Sequence, residues 1–237
     1  MLFVAVFLGS LGEYALEHKI ESERTEQLAR NLYEELQAND AALQRVLQIR
    51  ERKEQWISDF SHDVATVDLQ QPPLPFYISF TGAFLVTTPT IFEPSDGVLE
   101  QLISSGSLRY FRDPRIQTQI GDLKVATAAV RARQLREAGL VETTLRNFYL
   151  RHFDMPWLAL LTDDFRAVLL DAISSPDTAK VRPPRILNAK SFDREEAQNI
   201  GNQTLLMYRS TRNLQLRQYR AANEQLLQSL RENYHFE

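Results

Sequence analysis

The chain has 237 residues, 43% apolar and 24% charged, which suffices for one good core or two small ones and excludes a disordered chain. Formal net charge is −4 with a pI near 5.7, and Lys and Arg are scattered, which excludes the clustered basic footprint of a nucleic-acid binder. The lack of cysteine excludes disulfides and thiolate chemistry, and none of the eight glycines falls in phosphate-loop, dinucleotide-loop or nucleophile-elbow spacing.

The first twelve residues, MLFVAVFLGSLG, carry no charge and run without a breaker into a charged helical pattern. Leu2 to Gly12 gives eleven residues before Glu13, short of the roughly 17 to 25 that a spanning helix needs. A secretory signal fits poorly, since no basic residue precedes the run and no small-residue cleavage site follows it. Residues 1–16 therefore read as a partial transmembrane anchor built on Leu2, Phe3, Val4, Val6, Phe7, Leu8 and Leu11, with Tyr14 at headgroup level. A buried helix end and an interfacial segment are the alternatives.

From Glu13 to Val67 there is neither Gly nor Pro, and Leu16, Ile20, Leu28, Leu32, Leu36, Leu43, Val46, Trp56, Ile57, Phe60 and Val64 recur largely in steps of three, four or their sums, as one helical face. This predicts one helix of about 100 Å over residues 1–67, with 17–68 as a stalk that needs other long helices to pack against. Prolines 72, 73 and 75 end it. The stretch FYISFTGAFLVTTPTIF, residues 76–92, favours extended structure by propensity, with a short buried helix as the alternative. Residues 69–112 are expected to form an apolar cap with a short helix through Leu99, Leu102 and Ile103, capped by Ser95 or Asp96 and stopped at Gly106.

Asp113-Pro114 opens a long return helix over 113–153 with a weak point at Gly139. Residues 154–192 read as a proline-interrupted connector, and the Asp193/Glu196 capping box starts a final long helix over 193–237. The expected fold is all-α: an elongated bundle of three long helices with short helical or irregular apolar insertions and an N-terminal membrane anchor.

The order VFLGSLGEYALEHKIESERTEQLARNLYEEL followed by LEQLISSGSLRYFRDPRIQTQI resembles a family of bacterial membrane-anchored proteins, domain of unknown function 6090. The residues carrying the resemblance are Leu28, Leu32, Leu36, Ile103, Ser104, Ser105, Gly106, Leu108 and Asp113, and it covers roughly residues 4–125. The chain departs from the family pattern where a basic tail and complete span precede the stalk, and where Glu17-His18 replaces an aromatic–amide pair. The resemblance implies a bacterial inner-membrane protein with a periplasmic body, and no activity.

Ser104-Ser105-Gly106-Ser107 reads either as a nucleophile or anion nest or, with no base adjacent, as a glycine helix stop with capping hydroxyls. Asp59, His62 and Asp63 share a helix face, as a metal or proton site or as a solvated helix end. Asp163-Asp164 are adjacent and diverge by about 100°, so with Thr162 they read as a cap. Lys180, Arg182 and Arg185 form a small basic loop. Trp157, Leu158, Leu160 and Leu161 are expected near the membrane, with packing inside the bundle as the alternative.

No cofactor or metal is expected. The functional expectation is a membrane-anchored scaffold, accessory or assembly subunit acting by protein–protein interaction, with the membrane, a second copy or a membrane protein as partner. A ligand-sensing module with a pocket near residues 76–112 is the second reading. An enzyme is the third, and it requires a buried cluster of titratable groups.

Overall fold

The computed structural model describes residues 2–84, 90–159 and 185–236; side chains are described at Glu13 and from Leu16 onward, except at residues 158 and 159. The helices are α1 (Leu2–Asp63), α2 (Leu74–Phe84), α3 (Gly97–Ser104), α4 (Pro114–Leu140), α5 (Arg146–His152), α6 (Met155–Ala159), α7 (Arg194–Thr211) and α8 (Arg217–Tyr234). A π-helical turn, Val141–Leu145, joins α4 to α5, and a second, Arg212–Leu216, joins α7 to α8. Single 3₁₀ turns occupy Ser107–Tyr110 and Ala189–Ser191. Every regular element among the described residues is helical, so the fold class is all-α.

The chain forms two compact units. The first comprises Met1–Gln44, Phe92–Val130 and Leu216–Glu237. Its core draws on Leu28, Leu32 and Leu36 of α1, Leu99 and Leu102 of α3, Ile116 and Ile120 of α4, and Leu226 and Leu230 of α8, all buried. These positions recur in steps of three and four, which is why each segment is helical and which face it buries. Each such side chain contributes about 1.5–3 kcal/mol on burial.

Capping in this unit is done across elements rather than locally. Asp96 is the N-cap of α3 but makes no side-chain cap hydrogen bond; instead the N–H groups of Val98 and Leu99 donate to the Glu35 carboxylate at 2.9 and 3.3 Å. Asn39 pairs with the backbone of Ser95 in both directions, at 2.7 and 2.8 Å. The carboxylate thus meets the positive end of the helix, and orphan donors find acceptors on α1. On the other side Asn223 donates to the Leu36 carbonyl at 3.1 Å, and Arg231 to the Tyr33 hydroxyl at 2.8 Å.

The second unit comprises Arg45–Ile91 and Arg131–Gln215. Its core is aromatic: Phe60 lies 5.7, 5.2 and 4.7 Å from the rings of Phe76, Phe80 and Phe84, and Tyr77 packs on Phe153 at 4.7 Å and Trp157 at 4.8 Å. The residues that favour extended structure by propensity therefore form helix α2 over Leu74–Phe84. That helix is buried on nearly every side, and the hydroxyls of Ser79 and Thr81 bond back to the carbonyls of Phe76 and Tyr77 at 2.8 and 2.7 Å. Burial all round removes the amphipathic period by which a helix announces itself. Gly82 is fitted to close packing, because a Cβ there would lie 2.3 Å from two ring carbons of Trp56.

Helix α1 stops at Asp63, four residues short of the expected end at 67. Arg194, at the start of α7, donates to the carbonyls of Val64 and Val67 at 2.5 and 2.7 Å, satisfying acceptors that a continuing helix would use. Asp193 caps α7 by accepting from the N–H groups of Glu195 and Glu196 at 2.9 and 3.0 Å.

A buried polar seam crosses this unit. Arg50, with no exposed surface, forks onto Glu137 at 2.6 and 3.1 Å, donates to the Thr90 carbonyl at 2.7 Å and lies 4.7 Å from the Tyr208 ring. The Thr211 hydroxyl bonds to Glu137, and Arg212 forks onto the buried Glu54 at 2.9 Å through both nitrogens.

Candidate functional site

Within the first unit, the cavity with the most varied chemistry is built from four short pieces of chain. Gly106 takes a left-handed backbone, φ 69°, which a side chain would strain, and reverses the chain after α3. Ser105 and Ser107 fix the turn through a 2.7 Å hydroxyl pair and a 3.3 Å bond from the Ser107 N–H to Ser105 Oγ. The following 3₁₀ turn carries Arg109 and Tyr110 to the cavity wall. Asp113 caps α4 through the Arg115 N–H at 2.9 Å, and Asn233 at the end of α8 reaches the same carboxylate at 3.3 Å. Helix α1 supplies the opposite wall with His18, Glu21, Ser22 and Thr25. The cavity is open on one side and its volume is about 390 Å³.

The electrostatics are mixed. Arg112 donates to Nε2 of His18 at 2.9 Å; a guanidinium has no acceptor, so this contact makes Nε2 the accepting nitrogen. Arg109 stacks over Tyr110 at 5.0 Å and donates to its hydroxyl at 3.0 Å. The guanidinium of Arg109 is held above its ordinary range first by that hydrogen bond and last by the charge of Glu21. Among the described residues neither Arg109 nor Arg112 forms an ion pair with a carboxylate. Asp113, by contrast, is neutralised: side-chain hydrogen bonds from Arg115 at 2.8 and 3.0 Å hold its carboxyl down at about 2. Burial pushes the Tyr234 hydroxyl up, with Arg112 opposing. The arrangement can hold a polar or charged ligand between two guanidiniums and the acids of α1.

No family model, curated protein or solved structure matches this chain. Function is therefore read from residues and geometry.

The backbone of Leu2 through Leu11, and of Tyr14, lies in α1, while their side chains lie outside those described. Among the described residues no helix is long and apolar enough to cross a membrane. Ser104, Ser105 and Gly106 are exposed, and the Ser104 hydroxyl bonds back to Gln101 at 3.4 Å. No group that could hold a metal ion occurs among the described residues; Asp59 accepts from Gln55 at 2.7 Å on an exposed helix end.

Trp157 is fully buried against Tyr77, which is the packing alternative and not an interfacial placement. Its indole already occupies an aromatic core, so it presents no face to a headgroup layer. The side chain of Leu158, and residues Leu160, Leu161, Thr162, Asp163, Asp164, Lys180 and Arg182, lie outside the described set. Arg185 lies 3.5 Å from the buried Asp154.

Two groups of residues went unread in the sequence. Arg109 and Arg112 lack any local motif: Arg112 meets His18, 94 positions away, and Arg109 bonds to the adjacent Tyr110 hydroxyl. The Arg50–Glu137 seam did leave a signal: after Leu47 the core-facing register passes through Arg50, Lys53 and Glu54, all buried, before an apolar residue returns to it at Ile57. This is a buried cluster of titratable groups, but Glu137 and Glu54 are each taken by a guanidinium fork. Its charges are matched internally, as in a structural ion pair.

Proposed function

We propose that this chain is a membrane-associated helical scaffold or accessory subunit, a bundle of three long helices that works by protein–protein interaction and needs no catalysis. The observation that carries this reading is α1. It is a single 62-residue helix that begins in an uncharged run, and Leu16 and Ile20, one turn apart on the same face, are 59% and 54% exposed. Apolar surface therefore continues past the uncharged run, exposed among the described residues. A bacterial inner-membrane address with a periplasmic body rests on the family resemblance.

Flotation with lipid vesicles tests the reading. The chain is expected to float and the Val4→Lys/Leu8→Lys variant to remain in the dense fraction; equal behaviour of the two removes the anchor. Sedimentation of the detergent-solubilised chain tests assembly, and a strict monomer at high concentration with no bound partner removes that half.

A second reading, a ligand-sensing module, is favoured by one observation: the 390 Å³ polar cavity whose wall includes Arg109, Tyr110 and Arg112, at the C-terminal edge of the 76–112 segment. In that reading occupancy changes how α1, α4 and α8 pack around it.

A further inference from the structure

The cavity between α1, the 3₁₀ turn and the end of α8 is lined by two arginines, Arg109 and Arg112, and three acids, Glu21, Glu26 and Asp113. Arg115 takes Asp113 in a two-nitrogen fork and Glu26 is loosely paired with Arg30 at 3.8 Å, which leaves two guanidiniums and Glu21, with Glu26 beside it, facing one space. The guanidiniums have spent little of their capacity: one donates to an imidazole and the other to a phenol, and neither meets a carboxylate among the described residues. Charges of both signs lining one half-open cavity suit an occupant that carries both. We propose that this cavity binds a small zwitterion with a phosphate at one end and an ammonium at the other, the chemistry of phosphoethanolamine.

Phosphate is preferred over carboxylate as the anionic end because two guanidinium forks from one four-residue stretch line the same cavity. A carboxylate has two oxygens and satisfies one fork, whereas a tetrahedral phosphate offers oxygens to both and to a hydroxyl such as Ser22. The ammonium end belongs with Glu21 and Glu26 on α1; Glu21 is close enough for its charge to act on Arg109. Point-charge recognition of an ammonium by carboxylates needs no fixed fork, which matches acids on one helix face.

Two sources share this chemistry, a free phosphoethanolamine and the headgroup of an ethanolamine phospholipid. The lipid source rests on the membrane reading above; the binding chemistry does not. His18 stands six residues past Gly12, about 9 Å along the helix, within a long side chain's reach of a headgroup layer if the uncharged run is embedded.

Calorimetric titration of the full chain with glycerophosphoethanolamine, glycerol phosphate and ethanolamine tests the chemistry. The zwitterion is expected to bind at least tenfold more tightly than either half. Arg112→Ala should weaken it tenfold or more, and Glu21→Gln should weaken the zwitterion while leaving or improving glycerol phosphate. That opposite movement is one that a merely structural role of Glu21 would not give, and circular dichroism confirms that each variant is folded. Equal affinity for glycerol phosphate and the zwitterion, or no binding at millimolar concentration, overturns the proposal. Flotation with phosphatidylcholine vesicles, with and without phosphatidylethanolamine, separates the sources. Binding of the free compound without any flotation leaves the site standing and removes the membrane reading. Flotation unchanged by Arg112→Ala, with no free-ligand binding, does the reverse.

Discussion

Replacing Glu137 by glutamine tests whether the second unit is held by its buried ion pair. The guanidinium of Arg50 has no exposed surface, and its partners are the two Glu137 oxygens at 2.6 and 3.1 Å, the Thr90 carbonyl at 2.7 Å and the Tyr208 ring. Breaking a buried pair from one side costs about 3–5 kcal/mol, because a charge stays behind without its counter-charge. Glutamine keeps one acceptor for Arg50, worth about 1 kcal/mol, so Glu137→Gln is expected to cost about 2–4 kcal/mol.

Arg50→Met should cost about 3–5 kcal/mol by the same argument from the other side. The double variant Arg50→Met/Glu137→Leu removes both charges and leaves the Thr90 carbonyl without that donor, so its cost is about 0–2 kcal/mol. Urea unfolding followed by tryptophan fluorescence measures all three, since both tryptophans, Trp56 and Trp157, belong to this unit. A cost for Glu137→Gln below about 1 kcal/mol, or a double variant that costs as much as the two singles summed, refutes the reasoning.

Gly82→Val is expected to destabilise the same unit by about 1–3 kcal/mol or more by forcing a side chain into the Trp56 ring, and combining it with Trp56→Ala should recover part of that loss in urea unfolding. Tyr149→Phe should be neutral or stabilising by up to about 1–3 kcal/mol, because the buried hydroxyl finds no hydrogen-bond partner among the described residues. Burial, and then Tyr77, push that hydroxyl's ionisation up. The contribution of the neutral form is thus complete below the ordinary tyrosine range and is lost as pH rises through the higher folded value, a loss that Tyr149→Phe should abolish in alkaline unfolding scans. The Asp113 carboxyl, held at about 2 by Arg115, has a depressed folded value: its contribution is present above the ordinary aspartate range and is lost as pH falls through about 2. Carbon-detected NMR titration should show Asp113 still ionised at pH 3, and Arg115→Gln should return its midpoint toward about 4.

The all-α class was legible because α1, α4 and the α7–α8 run each bury residues at helical spacing over many turns. Helix α2 was not, because burial of Phe76, Tyr77, Phe80 and Phe84 on several faces at once leaves no period to read. The end of α1 was set by Arg194, 130 positions from Val64, and no local signal at residues 64–67 announces that fork. The N-terminus of α3 falls at Asp96, one of the two expected caps, but what its sequence does not show is the acceptor: the N–H groups of Val98 and Leu99 donate to Glu35 on another helix, not to the Asp96 side chain. The cavity followed the same rule. Ser105 and Gly106 were visible as a turn, whereas the convergence of Arg112 with His18 is a product of packing.

Along α7 the buried residues step by three or four through Thr204, Tyr208 and Thr211, then by five to Leu216, and resume the short step at Tyr219, Asn223 and Leu226. The five-residue stride coincides with the π-turn Arg212–Leu216, whose extra residue is absorbed without breaking the helix. Two heptad frames therefore meet at this turn and are offset from each other by one residue. A chain with one residue fewer here would rotate everything downstream by about 100° and turn Arg217 and Arg220 inward in place of Leu216 and Tyr219. Any alignment of this segment to a regular coiled coil must consequently open a one-residue gap between 212 and 216, and a search that holds a single phase across residues 194–234 will match one half and miss the other.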